Sequence, residues 1–149
     1  LYVRDAKGRV GTGKTTIKKP VAIDTIKYVF NEGNSASANV FFTDPPGETF
    51  YSLYIIRNVN LTTVFTDKDF DGTKLPYQSP FVYKENENLQ FHLLNVHRDY
   101  YDFITTFKMA YESNNRPITE PVRVKSNVSG AIGIFTGFLP VMVQSKVTR

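Results

Sequence analysis

The 149 residues contain no cysteine, which excludes disulfides, thiolate metal sites and cysteine nucleophiles within this segment. No apolar run approaches the roughly 18 residues that a membrane-spanning helix needs, so any membrane attachment is expected upstream of Leu1. The spacings HExxH and G-x-S-x-G are missing, and with them the familiar hydrolase signatures. His92 and His97 are the only imidazoles. Neither has a carboxylate or nucleophile at a spacing that implies a relay, so both are read as structural, on a strand face and at a helix start. No catalytic or cofactor-binding residue is assigned.

What is present is enough for one core. With 41% hydrophobic and 14% aromatic residues, the chain is read as a single β-rich domain spanning 1–149. The opening Leu1-Tyr2-Val3 already has the character of a strand interior. The chain is therefore expected to be the C-terminal part of a longer protein.

The net charge of +4 is unevenly spread. Residues 1–19 hold Arg4, Lys7, Arg9, Lys14, Lys18 and Lys19 against the single acid Asp5. Such a stripe can attract nucleic acid or anionic headgroups, but spaced cations also keep an edge strand from pairing with another chain. Nucleic-acid binding would call for interleaved aromatic stacking platforms. Only Tyr2 lies among these cations, so nucleic acid is not an expected partner.

Within the same stretch, Gly8 to Thr15 matches the phosphate-loop spacing G-x-x-x-x-G-K-[ST]. That chemistry needs a helix after the lysine, because backbone N–H groups at a helix N-terminus hold the phosphates. Here Thr16 and Ile17 are β-branched, and Pro20 would fall in the second turn of any such helix, removing a donor and clashing with the preceding turn. The segment is read instead as a turn at Asp5-Ala6-Lys7-Gly8 joining a first strand to a polar second one.

Segments rich in Val, Ile, Tyr and Phe recur between turn clusters, the pattern of an antiparallel β-sandwich or barrel. Strands are expected at 1–4, 24–31, 38–43, 49–57, 79–84, 88–96, 121–126 and 139–147. Leu89, Phe91 and Leu93 alternate with Gln90 and His92; Val122 and Val124 alternate with Arg123 and Lys125. The stretch 50–56 is apolar on both faces, which suits a central strand. Breakers occur at 31–35, 44–48, 71–72, 84–88 and 114–117. One α-helix is expected at 98–112, where Tyr100, Phe103, Ile104, Phe107 and Tyr111 repeat with helical period and Pro117 bars extension. Core packing is the favoured use of that stripe.

Asp67-Lys68-Asp69-Phe70-Asp71-Gly72 reproduces the first half of an EF-hand loop, with carboxylates at positions 1, 3 and 5 and glycine at 6. The second half fails: Gln78 stands where a bidentate Glu is required, and Pro76 interrupts the loop. A partial cation site from Asp67, Asp69 and Asp71 stays open beside the reading of a solvated acidic turn. Asn60-Leu61-Thr62 and Asn127-Val128-Ser129 fit the glycan-acceptor pattern.

An ordered set of short segments carries a resemblance. It runs from Thr15 and Thr16 through Pro20-Val21, Ile23 and Asp24 to Phe42-Thr43-Asp44-Pro45-Pro46-Gly47-Glu48 with Tyr51. Asp69-Phe70-Asp71-Gly72, Tyr100-Tyr101, Glu120-Pro121-Val122, Ser126-Asn127-Val128 and Gly130 to Phe135 follow. In this order they cover nearly the whole chain, which resembles the C-terminal portion of the Bacteroidetes domain-of-unknown-function 4249 family. That resemblance implies an exported outer-membrane lipoprotein at the cell surface, anchored through an upstream lipid-modified cysteine and accessory to a TonB-dependent transporter. The family carries no established reaction or ligand; together with the lack of a catalytic constellation, the resemblance makes the expected function non-enzymatic: binding an unknown small ligand or docking on the transporter. A calcium-stabilised adhesive module and a phosphate-loop enzyme are the rivals. The segment Gly130 to Gly137 is the element expected to touch a partner.

Overall fold

The computed structural model describes residues 1–114 and 120–149. The expected breaker 114–117 and the role of Pro117 thus fall largely outside the described residues. The protein is mainly β: the described residues form ten strands in three antiparallel sheets, one α-helix and no closed barrel. It divides into two compact units, Leu1–Lys18 with Val96–Phe138, and Lys19–Asn95 with Leu139–Arg149.

The larger unit is the sandwich that the alternation predicts. One sheet has the order β3 (Ile23–Phe30), β4 (Ser35–Thr43), β7 (Lys74–Lys84); the other has β10 (Val141–Lys146), β8 (Asn88–Val96), β5 (Phe50–Ile56), β6 (Leu61–Thr66). Every second residue of β4, from Ala36 to Phe42, is buried, as are Tyr51, Leu53 and Ile55 of β5 and Leu89, Phe91 and Leu93 of β8. Two inner faces with period-two burial make one core between them. Aromatic contacts join the layers: Phe42 meets Tyr51 with ring centroids 5.0 Å apart, and Phe65 stacks on Tyr77. The stretch 50–56 is an interior strand, as its two-sided apolarity requires.

The smaller unit holds a three-stranded sheet, β1 (Tyr2–Arg4), β2 (Val10–Gly13), β9 (Val128–Ser129), and the helix α1 (Arg98–Asn114). Around the tight turn, Asp5 accepts the N–H groups of Lys7 and Arg9, each at 2.9 Å, and Gly8 takes a φ of +79°. The helix begins where His97 accepts the Asp99 N–H through Nδ1.

Three expectations need correction. Residues 121–126 form no strand. Val122 and Val124 are partly buried and Arg123 and Lys125 exposed, so the alternation is real. The backbone partner, however, is a helix side chain: Lys125 N–H donates to Thr106 Oγ1 at 3.0 Å, and Lys125 Nζ pairs with Asp102 at 2.9 Å. The segment 61–66 is a strand that the sequence reading missed, and 74–78 extends the one expected at 79–84. Finally, the aromatic stripe of α1 is not wholly core: Phe107 is 54% exposed and Tyr111 66%.

Candidate functional site

Three places were singled out by sequence or are created by the fold. The first is the phosphate-loop spacing. Gly8 closes the Asp5–Gly8 turn, Val10–Gly13 is β2, and residues 14–22 contain neither helix nor strand. Lys14 therefore precedes no helix N-terminus. Its carbonyl accepts from Asn127 Nδ2 at 3.1 Å, and without a following helix there is no N-terminal turn of free N–H groups to hold phosphates.

The second place is acidic. Carboxylate oxygens of Asp44, Asp67 and Asp71 lie within 4.8 Å of one another. Two of the three expected residues come together; Asp69 is exposed and lies outside the group, and Asp44, from a distant turn, replaces it. Asp44 and Asp67 are each only 2% exposed. Such carboxylates are of the hard oxygen type that Ca²⁺ takes, but hydrogen bonds already account for where each one sits. Asp44 accepts from Tyr51 Oη at 2.5 Å and from Gly72 N–H at 2.9 Å, Asp67 from Thr49 N–H at 2.8 Å, and Asp71 from Gly47 N–H at 2.7 Å. The loop 44–49 and the loop 67–73 are thereby tied into one knot. Burial pushes the Tyr51 phenol far above its ordinary value, and its hydrogen bond and proximity to Asp44 add to this. Burial also pushes the Asp67 carboxyl up; the Thr49 N–H opposes it, while the charges of Asp44 and Asp71 reinforce it.

The third place is an apolar groove of about 570 Å³ in the smaller unit. Leu1, Val3, Val10, Val128, Ile132 and Ile134 line it, with the Asp5–Arg9 ion pair at 2.6 Å at its margin. One wall is the β1–β2 hairpin, in which Val3 sits opposite Gly11 and Arg4 opposite Val10. The other is the Gly130–Ile134 segment, and this wall is built rather than loose. Asn127 donates to Phe135 O and accepts from Phe135 N–H, both at 2.8 Å, while Ser126 Oγ donates to Gly133 O at 2.8 Å. Asn127, one of the glycan-pattern asparagines, is thus a rivet of the fold. Gly130 has a φ of +82°, and a Cβ there would run into the Val10 carbonyl oxygen. Ile132, at 80% exposure, stands out from this wall.

The two histidines are not brought together with a nucleophile. His92 packs edge-on against Tyr54, and His97 contacts Asp99 at the helix start. No helix among the described residues is long and apolar enough to cross a membrane.

No curated protein and no solved structure matches the chain. A family model does: the domain of unknown function DUF4249 matches residues 2–142. Three of the segments that carry the resemblance, Asp44 to Gly47, Tyr51 and Asp71-Gly72, meet in the acidic knot. The chain belongs to the DUF4249 family.

Proposed function

We propose that the chain is a non-enzymatic binding module of an exported outer-membrane lipoprotein, docking on a TonB-dependent transporter whose nutrient uptake it assists. The observation that carries the docking part is the apolar groove beside the exposed Ile132. Exposed apolar surface costs solvation free energy unless something covers it, and contiguous patches of this kind mark interaction sites. The lipoprotein and transporter context comes from the family resemblance. Membrane attachment is through an upstream lipid anchor.

Cell fractionation of the native full-length protein tests the reading. Metabolic lipid labelling of an upstream cysteine, together with co-purification of a TonB-dependent transporter from outer membranes, is the expected result. Recovery in the cytoplasm without lipid would overturn it.

A further inference from the structure

Four strands edge the sandwich, β3 and β7 in one sheet and β10 and β6 in the other. Natural edges are kept from pairing with other chains by charges, prolines and breaks in register, and three of these four carry them. β3 holds Asp24 and Lys27, with a register shift between Ile23 and Thr25. β7 holds Lys74, Pro76, Pro80 and Lys84, with a shift opposite Ser37 to Asn39. β10 ends in Lys146, and its Ser145 accepts the Tyr28 hydroxyl of β3 at 2.8 Å, which ties those two edges together. β6 has none of these guards. Leu61-Thr62-Thr63-Val64-Phe65-Thr66 contains no charge, no proline and no glycine, and its register with β5 is unbroken from Leu61 to Thr66.

The core is also left incomplete at this edge. On the inner face Leu61, Thr63 and Phe65 of β6 lie opposite Ile55, Leu53 and Tyr51 of β5. The three β5 residues are wholly buried, whereas Leu61 and Phe65 are only partly so. Among the described residues β5 is the one strand that pairs with β6. One row of β6 N–H and C=O groups therefore points away from the sheet, beside apolar side chains that another strand would cover.

We infer that β6 is the contact strand of a symmetric dimer, in which two copies of this chain join their four-stranded sheets edge to edge through antiparallel pairing of β6 with β6. The strand that fits must be uncharged on both faces, because β6 offers no ion partner to offset the lost hydration of an incoming charge. β6 itself meets that demand. Pairing about a two-fold axis at Thr63 sets Leu61 opposite Phe65 on the inner face and Thr62 opposite Val64 on the outer, so every side chain meets one from its own face, and Thr63 meets Thr63. That register stops short of Asp67, whose N–H already donates to Thr49 O at 3.2 Å. Such a contact uses the same patch on both copies and closes on itself, and the guards on the other three edges hold the assembly at two. The inference is independent of the groove and of the transporter reading.

Two measurements on the full-length protein test it. In sedimentation velocity the parent is expected to run as a dimer that persists as NaCl is raised, since no ion pair holds it. The double variant Thr62→Lys with Val64→Lys, which sets lysine against lysine across the contact on the solvent face, is expected to lose the dimer. Because these 149 residues contain no cysteine, Thr63→Cys reports the axis directly. Opposite residues of an antiparallel pair lie close to disulfide reach, so oxidation is expected to give a covalent dimer from Thr63→Cys and none from Val59→Cys, away from the axis. A monomeric parent, a dimer that the lysines leave intact, equal cross-linking from positions 59 and 63, or capture of a different protein by Thr63→Cys would overturn the inference, the last by assigning the edge to another chain. None of these outcomes bears on lipid anchoring or transporter co-purification, which fractionation decides separately.

Discussion

The Tyr51 hydroxyl donates to Asp44 Oδ1 at 2.5 Å in a place where both residues are almost wholly buried. A buried carboxylate that loses a donor keeps its desolvation cost without the bond that offset it. Tyr51→Phe is therefore expected to lower unfolding stability by about 2 kcal/mol. Asp44→Asn is expected to cost a comparable amount, because its amide cannot accept from both the phenol and the Gly72 N–H. Asp69→Asn, outside the knot, stays within about 0.5 kcal/mol. Urea titrations of the three variants check the ranking.

The raised Asp67 carboxyl gives a pH dependence of defined sign. Folding strengthens its hold on the proton, so between the ordinary aspartate value and the raised folded value the native state binds more protons than the unfolded chain. This group therefore adds stability as pH falls through that window and subtracts it as pH rises. The stability difference between the parent and Asp67→Asn, followed by denaturant titration across acidic pH, is expected to move in favour of the parent on acidification. A flat difference would remove Asp67 from the account.

Gly130 and Gly72 both have positive φ, +82° and +67°, but differ in the space around them. A Cβ on Gly72 would find Pro46 at an ordinary 3.7 Å, so Gly72→Ala is expected to cost only the backbone term, about 1 kcal/mol. On Gly130 the same atom would collide with the Val10 carbonyl, forcing β2 and the Gly130–Ile134 wall apart. Gly130→Ala is expected to cost about 2 kcal/mol more than Gly72→Ala. Thermal denaturation of the pair checks the order.

Lys14→Ala is expected to leave isothermal titration with Mg²⁺ and ATP unchanged, with no heat beyond dilution from either protein. Residues 14–22 hold no helix to present N–H groups to phosphates. Binding that disappears in the variant would restore the phosphate-loop enzyme as the better reading.

Much of the β-structure was legible because alternation such as Leu89-Gln90-Phe91-His92-Leu93 reports directly which face is buried. Pro20 likewise announced the absence of a helix after Lys14. The strand 61–66 was obscured by its three threonines, which lower hydrophobicity while keeping β-propensity. Alternation at 122–125 was correctly seen but wrongly paired, since period two shows burial and cannot show whether a strand or a helix lies alongside. In α1 the period fixed the helix, but a stripe cannot say how far along it the covering extends, and Phe107 and Tyr111 lie exposed. The acidic knot was half visible: Asp67 and Asp71 share one short loop, whereas Asp44 arrives from a turn before β5. Its Asp-Pro-Pro-Gly composition signals only a chain reversal. The Gly130–Gly137 segment stood out by its glycines and the β1–β2 hairpin by its Asp5–Gly8 turn, but nothing in either stretch says that the two face each other.

Site-specific photocross-linking from position 132 tests the docking claim most directly. In the full-length protein in its native outer membrane, a cross-linker replacing Ile132 is expected to give one discrete adduct with a TonB-dependent transporter. The same group at Val59, itself 65% exposed and in the other unit, is expected to give none. Absence of an adduct from position 132, or an identical pattern from both positions, would contradict the account.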